Sequence, residues 1–118
     1  MKALKEFYQF IQNISLDVVA GSVAMSFLFS KICNVNLSIQ IYCVLGVCVW
    51  LIYTFDHLLD AKKIEGLAKT RRHRFHQLHY DFLMISWVVL LAFGLLFSII
   101  FLSASTWYWG ICIVLFSV

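Results

Sequence analysis

The chain is 118 residues long, 63% hydrophobic and only 13% charged, with a formal net charge of +3 and no proline. A soluble globule of this size has too little interior to hide so much apolar side chain, which excludes an ordinary water-soluble domain. The lysines and arginines sit in short stretches beside apolar blocks, which excludes an extended basic face for nucleic acid.

The apolar residues come in blocks approaching the roughly 20 residues that a helix needs to cross a bilayer. Those blocks are continuous, not alternating, so they are expected as helices and not as strands of a membrane β-barrel. The expected fold class is all-α integral membrane: a bundle of about four transmembrane helices, itself part of a larger bundle. Residues 1–14 read as an amphipathic lead-in, because Leu4, Phe7, Ile11 and Ile14 recur at helical spacing among Lys2, Lys5, Glu6, Gln9 and Gln12. Such a helix lies in the headgroup region. A cleaved signal peptide fits less well, since the polar stretch is long and no small-residue cleavage site follows.

The first span is expected over 16–33, opened by Ser15 as a cap and Asp17 as a first-turn acid. Within it Gly21, Ser22, Ala24 and Ser26 form a small-residue patch suited to close helix contact. A polar joint at Asn34 and Asn36 leads to a second span, 37–59. Residues 60–81 form the one strongly polar stretch, a basic loop, and a third span covers 82–102. Trp107, Tyr108 and Trp109 look like an interfacial anchor for a fourth apolar block, 106–118. That block is short for a bilayer of about 30 Å, so the chain is expected to be the front part of a longer protein. Cys33, Cys43, Cys48 and Cys112 lie in or beside apolar blocks without a CxxC pair and read as packing residues.

Lys2 and Lys5 precede the first span, and Lys62, Lys63, Lys69, Arg71, Arg72 and Arg74 lie between the second and third, against Lys31 alone in the opposite joint. By the positive-inside rule the N-terminus and loop 60–81 are cytoplasmic. The default expectation for such a chain is a bacterial cytoplasmic membrane.

The segment richest in chemistry is Tyr53-Thr54-Phe55-Asp56-His57-Leu58-Leu59-Asp60, at the end of the second span. Asp56 and Asp60 are four apart and stack on one helix face, with Tyr53 three residues before Asp56. Two like charges near lipid repel and need a positive partner. One candidate is Mg²⁺, which takes one or two carboxylates plus phosphates and waters; the alternative is that Asp60 is simply solvated at the helix end while Asp56 snorkels or pairs with a loop arginine. The basic run Lys69-Thr70-Arg71-Arg72-His73-Arg74 suits phosphate oxygens, and suits equally the topological and headgroup roles of basic membrane loops. His73, His76 and His79 recur every three residues and, with His57, raise the alternative of a histidine–metal cluster; no HExxH is present.

This acidic pair followed by a basic loop resembles the UbiA superfamily of intramembrane prenyltransferases. Their second helix ends in a motif NDxxDxxxD, of which Asp56 and Asp60 match the last two aspartates, while Ile52 and Tyr53 stand where the motif has Asn and Asp. The resemblance covers the second span and loop, and it implies half of a site, since those enzymes carry a second aspartate-rich motif in a later half. It implies that Asp56 and Asp60 hold Mg²⁺ and that Lys69, Arg71, Arg72 and Arg74 bind the diphosphate of an isoprenyl donor. Tyr53 would contact the prenyl chain or a cation, and the acceptor would be lipophilic and membrane-dissolved. The further partners expected are the lipid bilayer and either a partner chain or a C-terminal half. Two other readings stand beside it: a non-catalytic small membrane protein whose basic loop binds anionic lipid or a partner subunit, and a histidine–metal membrane oxidoreductase.

Overall fold

A computed structural model describes residues 1–117, which form six helices: α1 (Lys2–Asn13), α2 (Leu16–Ile32), α3 (Ile39–Lys63), α4 (Arg71–Leu78), α5 (Tyr80–Phe101) and α6 (Ala104–Ser117). Two of them, α3 and α5, are long and apolar enough to cross a membrane. A third crossing is added if α1 and α2, bent by 72° at their junction, are counted as one broken span. Of the expected four or so, two or three are thus supported among the described residues. Helix α6, at 14 residues, rises only about 21 Å and is shorter than a crossing.

Helix α3 is the axis of the molecule, packing along α2 on one side and α5 on the other, with α4 across its C-terminal end. Its buried residues Trp50, Leu51, Thr54, His57, Leu58 and Ala61 recur at helical spacing and face these neighbours. Against α5 the approach is close. A Cβ on Gly94 would stand 3.1 Å from a Val47 methyl, and the Trp87 indole N–H donates to the Leu51 carbonyl at 2.8 Å while its ring stacks on Phe55. Against α2, Gly46 admits Val19 and Val23, and Tyr42 shares a 2.9 Å hydrogen bond with the Ser30 hydroxyl.

The close contacts to α2 thus rest on Gly46 of α3. Gly21 and Ala24, in the expected small-residue patch, are exposed, and a Cβ on Gly21 would meet nothing within 4 Å. The cysteines also differ from the expected packing role, since Cys33, Cys43 and Cys48 are exposed on the surface and only Cys112 is partly covered.

The joints have local causes. Helix α2 ends in a Schellman turn: Asn34 takes a positive φ of 56°, its N–H reaches the Lys31 carbonyl, and the Val35 N–H reaches that of Ser30. At the α1–α2 bend Ser15 also sits in the left-handed region, φ 64°, where an L-residue pays roughly 1–2 kcal/mol. Ser15 is fully buried and its hydroxyl caps nothing, so the expected side-chain cap of α2 is replaced by a strained elbow. Within the basic stretch 60–81, Gln77 ties the turn together: its amide oxygen accepts from the Ala68 N–H, and its NH₂ donates to the carbonyls of Ala61 and Gly66.

Candidate functional site

The amphipathic α1 and the basic α4 pack on each other, with the Phe10 and Phe75 rings edge to face at 6.2 Å. Together with the start of α2 and the last turns of α3 they make one polar end of the molecule. The sequence-predicted residues all fall in this region, but they divide into an outer and an inner set.

The outer set lies on the exposed face of α3. Ile52, Tyr53, Asp56 and Leu59 are exposed, and they follow one another at helical spacing on the side away from α2, α4 and α5. The Asp56 side chain is 71% exposed, and its nearest ionic neighbour is His57 Nδ1 at 3.9 Å. The Asp60 side chain is 43% exposed and lies 3.7 Å from His73 Nε2. Among the described residues neither aspartate meets a lysine or arginine. Of the alternatives, pairing with a loop arginine is not seen, whereas solvation of both carboxylates is compatible with their exposure. Lys69 and Arg71 are exposed, and the exposed Arg74 donates from Nε to the Ala68 carbonyl at 3.2 Å.

The inner set was less legible. Arg72 turns toward the α1–α2 bend and lies 3.6 Å from Asp17, both about one-third exposed. His57 meets His76 and His73 with ring centroids 5.0 and 5.4 Å apart. The His76 Nδ1–H donates to the Arg72 carbonyl at 2.8 Å, which leaves Nε2 as an acceptor without a partner, fully buried. Burial pushes the His76 imidazole below its ordinary value of 6.5; neighbouring His73, Arg72 and His79 push the same way, and the carbonyl bond opposes them. Every buried side-chain polar atom without a hydrogen-bond partner among the described residues belongs to Ser15, Asp17, Thr54, His57 or His76. Such groups cost free energy unless water or an ion meets them, so unmet polar demand is concentrated at this end.

The histidine repeat does not form the expected row. Helix α4 stops at Leu78, and His79, in the joint to α5, stacks on Phe75 and bonds its carbonyl, whereas His57 meets only the rings of His73 and His76 among the histidines. No group of three or more His, Cys, Asp or Glu side chains among the described residues is placed to hold a metal ion. A Mg²⁺ site needs only one or two carboxylates when phosphate and water complete it, and Asp56 with Asp60 has the donor chemistry for one.

Comparison of the chain with protein-family models, characterised proteins and solved structures gives no match. The site is therefore read from its own chemistry.

Proposed function

We propose that this chain is one part of an intramembrane prenyltransferase-like protein, in which the outer face of α3 lines a polar cavity completed by further helices. The observation that carries the reading is the placement of Asp56 and Asp60. Two carboxylates stand on an exposed face of a span-length helix, unpaired with any lysine or arginine among the described residues, and the exposed cations Lys69 and Arg74 follow in the chain. Left against lipid, that face is costly; lining a wet, cation-containing cavity, it is not. The lysine and arginine distribution supports a cytoplasmic α1–α4 end.

In this reading Asp56 and Asp60 would hold Mg²⁺, and Lys69 and Arg74 would draw in the diphosphate, while Arg71 lines a groove against α1. Bound metal supplies charge neutralisation for the diphosphate as it leaves. The C–O bond breaks with its electron pair on the diphosphate, a membrane-dissolved acceptor bonds to the allylic carbon, and the acceptor's proton passes to water. Tyr53, exposed one turn above Asp56, offers its ring to the prenyl chain.

A second reading rests on a different observation. Arg72 is engaged by Asp17 and Asp60 lies against His73, which suits a non-catalytic membrane subunit whose α3 face docks a partner chain. Binding of an isoprenyl diphosphate to the protein in nanodiscs, with and without Mg²⁺, separates the two. The prenyltransferase reading expects Mg²⁺-dependent binding that Asp56→Asn and Asp60→Asn each weaken by roughly tenfold, the worth of a charge-assisted contact. Mg²⁺-independent binding untouched by both substitutions, with Asp56→Asn neutral or stabilising, would sink it in favour of the second.

A further inference from the structure

A groove of about 320 Å³ separates the polar side of α1 from the start of α4. Its walls are Gln9, Gln12 and Asn13 from α1 and Thr70, Arg71 and Arg72 from the α4 entry. The lining holds two guanidinium groups, three carboxamides and a hydroxyl, and no acid. Gln9, Gln12 and Asn13 share one helical face by their spacing, and the contact of Phe10 with Phe75 fixes that face against α4. Asp17 engages Arg72 at 3.6 Å without lining the groove, so it orients a fork of five N–H donors and leaves others of them free. The Thr70 hydroxyl bonds His73 Nδ1 at 2.7 Å and does not cap α4, so the first-turn amides have no side-chain acceptor.

The position of the groove matters as much as its donors. Leu4 and Phe7 of α1 are exposed and apolar, Tyr8 at the edge of that face accepts a 3.1 Å hydrogen bond from Gln12 Nε2, and α1 is bent 72° from α2. With α2 directed into the bilayer, α1 lies along the interface with these side chains toward the acyl boundary. That sets the groove at the height of lipid phosphates.

We propose that the α1–α4 groove is a binding site for a single phosphate group, held by Arg71 and Arg72 between the carboxamides of α1. The site is independent of Asp56 and Asp60, so it stands or falls apart from the prenyltransferase reading. Bidentate guanidinium contacts give the affinity, and the carboxamides supply neutral donors that a diffuse basic surface lacks.

The test uses the full chain in phosphatidylcholine nanodiscs. Retention of phosphatidic acid is counted by native mass spectrometry, and inorganic phosphate is titrated as a soluble probe. The wild type is expected to retain phosphatidic acid or to bind inorganic phosphate. Arg71→Gln should weaken that binding roughly tenfold, the loss of one charge-assisted donor set. Lys63→Gln, which removes an equal charge from the same end of the molecule outside the groove, should change it by no more than about twofold. Circular dichroism of Arg71→Gln shows that the variant is folded; Gln9→Leu, exposed to the same assay, is a second variant expected to weaken binding without altering charge. Displacement of the lipid by millimolar inorganic phosphate assigns a free-phosphate site, and resistance to it assigns a lipid headgroup. Equal losses in Arg71→Gln and Lys63→Gln, or failure of the wild type to bind either probe, overturns the groove.

Discussion

The seam between α3 and α5 and the polar end under α4 are built on opposite terms. The seam is dry and tight: Gly94 admits Val47, and the Trp87 indole N–H reaches the Leu51 carbonyl across the interface. The polar end is also buried in part, yet its contacts are ionic, aromatic and incomplete, with His57, His76, Thr54, Ser15 and Asp17 each holding an unmet polar atom. In a bilayer, apolar side chains gain little by leaving lipid, so close packing and directed bonds must hold the seam. The polar end instead spends stability on groups that need a ligand, water or proton. Resistance to unfolding is therefore expected to reside in the seam, and sensitivity to conditions in the polar end.

The sharpest way to break the contrast is to overfill the seam. Gly94→Leu forces a branched side chain into a space where a Cβ alone would come within 3.1 Å of Val47. It is expected to cost about 3 kcal/mol, the upper range for overpacking, measured as a lowered unfolding midpoint in mixed detergent micelles. A smaller effect is expected from Gln77→Ala in the polar end. That change removes all the hydrogen bonds from Gln77 to Ala61, Gly66 and Ala68 and should cost about 1–2 kcal/mol, with faster amide exchange confined to residues 64–78. Global loss of α5 protection in Gln77→Ala would erase the distinction between the two regions.

The smallest effect is a pH dependence. His76 has a folded-state value below its ordinary 6.5, so between the two values the unfolded state binds more protons. Its contribution to stability is complete above pH 6.5 and is lost as pH falls through the lower folded value. Thermal midpoints should therefore decline from neutral pH into the acid range, and His76→Gln should flatten that slope while leaving the Gly94→Leu deficit unchanged. An unaltered slope in His76→Gln would assign the pH response elsewhere.

Much of the helical layout was legible because it follows from local pattern. Apolar blocks mark α2, α3 and α5, the spacing of Leu4, Phe7 and Ile11 marks α1, and four-residue spacing puts Asp56 and Asp60 on one face of α3. What stayed hidden depends on contacts between distant residues. Arg72 and Asp17 are 55 positions apart, and only the folding of α4 back against the α1–α2 bend makes them a pair. His57 joins His76 and His73 for the same reason, whereas His79 is lost from that group by the break after Leu78. Helix α4 itself is short and polar and carries no apolar periodicity to announce it within 60–81. Ser15 is a further case. Serine before a helix predicts a cap, and the left-handed backbone that it adopts instead is visible only once the bend exists.

The indole bond from Trp87 to Leu51 limits how α5 can move. Two apolar helices side by side in lipid have many neighbouring alignments of nearly equal energy, since each exchanges similar surface for similar surface. A directional bond removes that degeneracy. Rotating α5 by one residue, about 100°, swings the indole off α3, and sliding it by one turn, about 5.4 Å, carries the N–H beyond the Leu51 carbonyl. The interface thus acts as an indexed joint, with one permitted setting. Since His79 alone separates α4 from α5, that setting also fixes the tether of α4 and hence where Arg72 and His76 are delivered at the other end of the molecule.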